Sequence, residues 1–188
     1  YNMCDNYKYL FSTSSVYKIE KNLKKKMKGF FLMMKAAYAA FDYLKLNTEG
    51  EIIILCGKGN NGGDGYGLGA LLTMAGREVK IYKVEDPIKS EAKSALKLCY
   101  KLGVKVKKWP KSLEKSDIYV DALLGAGIKQ SPREPYKTII RHLISKKKKG
   151  KKIIALDVPS GVDGTTGVAY NPSVIASTTI TFLAMKKG

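Results

Sequence analysis

A chain of 188 residues has the size of one domain and leaves little room for a second. Its 45% hydrophobic content is enough for a packed core and excludes general disorder, while no apolar run reaches the roughly 18 residues of a membrane span. The formal net charge of +18 raises nucleic acid as a partner, a reading that depends on where the basic residues lie.

In chain order, residues 1–15 form a polar arm. A helical pattern runs from Val16 to Leu46, broken near Gly29. Within it Phe30, Phe31, Met33, Met34, Ala37, Ala40, Phe41 and Leu44 recur at helix spacing, the mark of core packing rather than of a cofactor site. The run from Glu51 to Cys56 has strand length and is apolar on both faces, which suits a parallel strand buried under helices. A glycine-rich stretch, 57–65, leads into a helix over about 65–75 that ends at Gly76. Val79–Val84 reads as a strand. Ser90–Leu102 reads as a helix stopped by Gly103. Val104–Lys108 is a short strand, Asp117–Leu124 a longer one, and Pro135–Ser145 a helix. Ile153–Leu156 is a strand, and Thr178–Leu183 is the last, rich in β-branched residues.

This alternation predicts an α/β fold: a Rossmann-like, doubly wound, mostly parallel sheet flanked by helices in three layers. In such sheets ligands bind beyond the carboxyl ends of the strands, at the switch in strand order. The loops that follow Cys56, Leu124 and Leu156 are therefore the candidate site.

The basic residues gather in runs: Lys21 with Lys24, Lys25, Lys26 and Lys28; Lys105, Lys107, Lys108 and Lys111; and Lys146–Lys149 with Lys151 and Lys152. They fall between apolar segments, as solvated turns and helix ends do. Arginine is limited to Arg77, Arg133 and Arg141, and no aromatics interleave with the lysines as in RNA-binding surfaces. Nucleic acid is thus disfavoured, and weak, salt-sensitive binding of polyanions is the alternative. Cys4, Cys56 and Cys99 are odd in number and far apart, which argues against a disulfide framework and for a reducing compartment. No apolar leader segment begins the chain, and its start at Tyr1 suggests a trimmed protein.

The first loop, Gly57-Lys-Gly-Asn-Asn-Gly-Gly-Asp-Gly65, has five glycines in nine positions. Glycine lets backbone N–H groups approach a ligand, and a helix start directly after it makes a phosphate cradle. The spacing of Gly57, Gly59 and Gly62 matches G-x-G-x-x-G, but no Gly-Lys-Ser/Thr follows, so it is not a Walker A loop. Glu85 ends the next strand, where a dinucleotide fold holds ribose. Asn60, Asn61 and Asp64 carry polar groups that a bare turn does not need, although Asp64 also suits a helix N-cap.

In the second loop, Asp121 sits within an apolar strand, where a carboxylate needs donors or a cation. It is either a structural hydrogen-bond acceptor or a ligand. In the third, Asp157 ends a strand and reads as a general acid/base, a substrate anchor or a turn-capping residue. Ser160 lacks a nucleophile elbow, and the sole histidine, His142, lies in a Lys-flanked helix as a surface or packing residue. Asn61, Asp121 and Ser160 could bring three oxygens to one crevice, a donor set for a hard cation. With no Cys/His cluster, structural zinc is disfavoured.

GNNGGDG at 59–65, DALLGAG at 121–127, LDVPSGVD at 156–163 and TITFLAMKKG at 179–188 stand in the order and spacing of the NAD(P)H-hydrate epimerase family, also called the YjeF N-terminal domain, which the chain resembles from Val16 to Gly188. Leu32-Met-Met-Lys-Ala-Ala37 is similar to the family's LMExAG helix, with Met34 for the usual Glu and Ala37 for the usual Gly. Met185 stands for a usual proline, and relatives continue past the position of Gly188, so a truncated domain over 16–188 is expected.

The resemblance implies an isomerase that interconverts the R and S epimers of hydrated NADH or NADPH at C6, with a dehydratase then restoring the cofactor. It implies substrate binding by Asn60, Asn61, Gly62, Gly63, Asp64, Gly125, Ala126, Gly127, Ile128, Lys129, Gln130, Ser131 and Asp157, the segment Gly125–Ser131 holding phosphates. It implies Asp157 as the catalytic residue, a potassium ion on Asn61, Asp121 and Ser160, and a homodimer. A cytoplasmic location is expected, or a mitochondrial one in a eukaryote. The alternative is a non-catalytic RNA- or protein-binding scaffold of the same fold; such relatives tend to lose the acidic catalytic position. A third reading, an NAD-dependent dehydrogenase, lacks a plausible catalytic His–acid pair.

Overall fold

The computed structural model describes residues 11–26, 29–110 and 112–182. Its elements are α1 (Thr13–Lys26), α2 (Gly29–Asn47), β1 (Ile52–Cys56), α3 (Asn60–Met74), β2 (Val79–Lys83), α4 (Ser90–Lys101), β3 (Lys105–Lys108), β4 (Ile118–Ala122), α5 (Tyr136–Lys148), β5 (Lys152–Leu156) and β6 (Thr178–Ile180). The strands make one all-parallel sheet in the order β3-β2-β1-β4-β5-β6. The chain winds outward from β1 through β2 to β3, returns to the centre at β4, and winds the other way. The switch in order lies between β1 and β4, which pair from Ile52↔Ile118 to Cys56↔Ala122.

Strand periodicity builds the two outer layers. Ile52, Ile54 and Cys56 point to one face and pack with α2, α3 and α4; Ile53 and Leu55 point to the other and pack with α5. Both faces of β1 and β4 are buried throughout, as continuous apolar runs require. Met33, Ala37, Ala40 and Leu44 form the buried side of α2. Phe31 is exposed, because four adjacent large apolar residues, Phe30 to Met33, span more of a helix than one face can bury.

The glycine-rich stretch differs from the expectation. The helix begins at Asn60, not near 65, so Asn60 to Asp64 are its first turn and Gly59 is the N-cap. Asp64 is therefore inside the helix and is not its cap. Each glycine lowers helix propensity by about 1 kcal/mol, but tertiary packing overrides this. Gly63 leaves room for Met33 of α2 and Gly65 for Cys56 and Ala122 of the sheet, so bare helix backbone lies close to both layers.

The other boundaries move less. Gly103 has φ +71 and ends α4 as foreseen. The last strand is Thr178–Ile180, and the expected extension to Leu183 reaches outside the described residues. So do residues 1–10 of the arm, and Thr13–Ser15 belong to α1. Among the described residues no helix is long and apolar enough to cross a membrane.

Candidate active site

The switch point brings two backbones unusually close. Gly57 N donates to Ala122 O at 3.0 Å. A Cβ on Gly57 would overlap the Leu123 carbonyl, and one on Gly62 would overlap the Gly57 carbonyl. This crossing aims the start of α3, with its unsatisfied N–H groups and positive dipole end, at the crevice.

Asn61 is 6% exposed and its Nδ2 donates to Leu124 O at 2.9 Å. The Oδ1 atoms of Asn60 and Asn61 are buried and accept no hydrogen bond among the described residues. Asp121, fully buried on β4, accepts from Ser160 Oγ at 2.6 Å and Leu123 N at 3.2 Å on Oδ1, and from Ser160 N at 2.8 Å on Oδ2. Burial pushes its carboxyl up to about 6, against the opposite pull of the Ser160 and Leu123 hydrogen bonds. Leu124 joins the group, since its N–H donates to Ser160 Oγ at 2.9 Å. Asn61, Asp121 and Ser160 thus gather around Leu123 and Leu124 of the β4 loop.

Asp157 leaves β5 with φ 68, the non-glycine residue among those described that adopts the left-handed region. That conformation costs an L-residue roughly 1–2 kcal/mol, less for Asp, whose short side chain can bond locally. Hydrogen bonds fix it: Asp157 N donates to Ile180 O at 2.8 Å, and Val158 N to Leu156 O at 2.9 Å. The carboxylate Oδ2 accepts from Ala126 N at 3.2 Å. Gly125 lies between the two halves of the site, with its Cβ position 3.5 Å from Asp157 Oδ2 and 3.7 Å from Asn61 Cβ.

A cavity of about 830 Å³ opens above these residues. Of the foreseen substrate set, Asn60, Asn61, Asp64, Gly125, Ala126, Gly127, Ile128 and Asp157 line it. Gly62 and Gly63 serve the packing of α3 beneath it. Lys129 lies further along its loop and pairs with the buried Asp163 at 3.3 Å. Gln130 accepts from Arg133 at 3.4 Å, and Ser131 is exposed outside the wall. Glu85 is paired with Lys58 at 3.0 Å, and Tyr136, with Lys58, holds its carboxyl below the usual range. The acid that ends β2 is thereby engaged by protein groups rather than presented to a ribose.

Motif reading missed Tyr17 and Glu20 of α1, Tyr136 of α5, and Thr181 and Phe182 beyond β6, all of which border the cavity. Tyr17, Glu20 and Tyr136 belong to no motif, and Thr181 and Phe182 lie in TITFLAMKKG, a motif given no site role. Only the helical spacing of Thr13, Val16, Tyr17 and Glu20 could have signalled a shared face. His142 proves to be a packing residue, its ring 5.8 Å from that of Trp109.

The donor set suits a hard cation. It offers one carboxylate, one hydroxyl, one amide oxygen without a donor, and neighbouring carbonyls; among the described residues no cluster of three His, Cys, Asp or Glu exists for a transition metal.

A six-stranded parallel sheet with polar side chains collected at its switch point defines a doubly wound α/β protein with a nucleotide-type crevice. The family model described as YjeF-related protein N-terminus matches residues 29–188, and the chain belongs to that family. A protein of Rhodopirellula baltica named NAD(P)H-hydrate epimerase is 35% identical over 170 residues, covering 86% of this chain and 68% of that protein. One of the same name from Limosilactobacillus fermentum is 32% identical, covering 84% and 76%. The Escherichia coli protein named bifunctional NAD(P)H-hydrate repair enzyme Nnr is 37% identical over 84% of this chain, which spans only 31% of that relative's length. The crystal structure of yeast ynu0, YNL200c, shares the fold, with a TM-score of 0.80 over 91% of this chain and 79% of that one at 23% identity.

Proposed function

We propose that the chain is an NAD(P)H-hydrate epimerase, an isomerase that equilibrates the R and S forms of hydrated NADH and NADPH at C6. The observation that carries this reading is the Asp157 carboxylate, locked on the cavity floor beside the start of α3. Two curated relatives named as such epimerases support it. The cavity volume lies within the range of small-molecule sites. The carboxylate's presence in the cavity favours an enzyme over a scaffold.

C6 of the substrate carries a hydroxyl and the ring nitrogen, so it is a hemiaminal carbon. Asp157 takes the hydroxyl proton, the C6–N bond opens, and its electron pair passes to nitrogen, which receives the proton in turn. Rotation of the resulting aldehyde and the reverse sequence on its other face close the second epimer. The ring is a vinylogous amide, whose delocalised nitrogen leaves readily. N–H groups at the start of α3 and on Gly125–Ile128, the part of that loop on the cavity wall, bind the phosphates.

Potassium belongs to the same proposal. Asn61, Asp121 and Ser160 would hold it, and when bound it would neutralise the buried Asp121 charge and tie three loops together. A dehydratase acting on the S form consumes the product, a second activity for which the longer bifunctional relatives have room. The proposal includes a homodimer, for which light scattering in solution should give twice the chain mass, and a reducing compartment, cytoplasmic or mitochondrial.

The test uses the R epimer with an S-specific dehydratase, following recovery of NADH. The chain should accelerate recovery, and Asp157→Asn should lower that acceleration by about 100-fold or more, the scale of a lost general acid/base. Undiminished turnover in Asp157→Asn would refute the proton-transfer role.

A further inference from the structure

Helix α1 precedes the stretch that matches the family model, yet one of its faces walls the cavity. Thr13, Val16, Tyr17, Glu20 and Leu23 follow one another three residues apart, or directly, and all border it. The helix is anchored there: Thr13 and Val16 are buried, and Thr13 N donates to Thr165 Oγ1 at 3.2 Å. Tyr17 lies at the middle of that face. Its hydroxyl rests on the backbone of Gly127, where a Cβ would come within 2.7 Å of the oxygen. The residue is 53% exposed and borders the cavity, so it is not consumed by core packing.

Burial, then the nearby charges of Asp157 and Glu20, push the phenol above its ordinary value, so the hydroxyl stays protonated and can donate at neutral pH. An exposed aromatic face next to a phosphate-binding backbone and a carboxylate is chemistry suited to a dinucleotide: a ring for a ring, and a donor for a phosphate oxygen.

The geometry points to Tyr17 as a substrate-binding residue, its ring covering the hydrated nicotinamide held at Asp157 and its hydroxyl donating to a phosphate oxygen on Gly125–Ile128. This assignment rests on the epimerase reading above. It makes α1 part of the active site. Tyr17 acts in binding and takes no proton in the reaction.

The experiment is steady-state epimerisation of the R form with excess dehydratase, for wild type, Tyr17→Phe, Tyr17→Ala and Lys18→Ala, each with a thermal melt. Lys18 is exposed on the same helix and serves as the control. Wild-type turnover is measured first, and its absence would sink both the epimerase reading and this one. With wild-type turnover present, Tyr17→Ala should raise KM at least about fivefold, the scale of one lost aromatic contact. Its kcat should change less than about twofold, the signature of uniform binding. Tyr17→Phe should fall between, Lys18→Ala should match wild type, and no melting temperature should move. A Tyr17→Ala enzyme with wild-type KM, or one whose kcat and melting temperature fall together while KM holds, would overturn the assignment and leave the epimerase reading standing.

Discussion

Asp121 carries a prediction that reads potassium without reference to catalysis. Its carboxyl titrates at about 6 in the fold against 3.8 as the ordinary value, because burial outweighs its hydrogen bonds. Below 3.8 both folded and unfolded chains hold the proton, and the group contributes nothing. Between 3.8 and about 6 only the folded chain holds it, so each rise in pH weakens the fold; above 6 the loss is complete. At 1.36 kcal/mol per pH unit the loss is about 3 kcal/mol, or about 6–12 °C in melting temperature for a domain of this size. The measurement is thermal unfolding in choline buffers from pH 3.5 to 8, wild type against Asp121→Asn, which cancels the other titrating groups. The wild type should lose about that much stability relative to the variant across the window. Added potassium should restore it at pH 8. At pH 5 about nine-tenths of folded chains carry the proton on Asp121, so potassium should bind about tenfold more weakly there. A difference between wild type and variant that stays flat with pH, or an equal response of both to potassium, would refute the reasoning.

Other substitutions separate packing from chemistry. Gly62→Ala drives a methyl into the Gly57 carbonyl and should cost about 1–3 kcal/mol of stability in denaturant titration. Gly125→Ala meets only ordinary contacts near Asp157 and Asn61, so its stability should stay within about 0.5 kcal/mol while KM rises from the narrowed floor. Asp157→Asn should melt with the wild type, since Asn tolerates the left-handed region, whereas Asp157→Val should lose roughly 1–2 kcal/mol. Cys56 and Cys99 are buried and free; burial pushes the Cys99 thiol up to about 12 and Cys56 well above its ordinary value. Thiol reagents should label both only as fast as the fold opens.

The parallel sheet was legible because β1 announces itself: its apolar run has strand length and no polar face. The alternation with helices pointed to a doubly wound sheet and so to the loops at its strand ends, while the order β3-β2-β1-β4-β5-β6 is visible only in the structure. The start of α3 was not legible. Five glycines between Asn60 and Met74 argue locally against a helix, and what explains it is the close approach of α2, of the sheet and of the Gly57 backbone to them. Asp121 and Ser160 could be suspected of meeting, 39 residues apart, but their 2.6 Å bond needs the β4–β5 pairing that no local pattern encodes. Tyr17 was hidden for a different reason. A tyrosine on a lysine-rich helix reads as a solvated face until the fold shows what lies beneath it. The lysine runs carried no information about the site, whose floor is built from Asn, Asp and Gly.

The left-handed turn at Asp157 bears on how such a site can decay. Backbone geometry and the proposed chemistry place separate demands on that one position: the turn admits Gly, Asn or Asp, and the proton transfer proposed for it needs the carboxylate of Asp. A descendant that abandoned the reaction could drop the carboxylate with little harm to the sheet, but mainly by way of Asn or Gly. Either residue at the end of β5, in a chain that otherwise keeps this fold, would mark a protein that has kept its architecture and surrendered its chemistry.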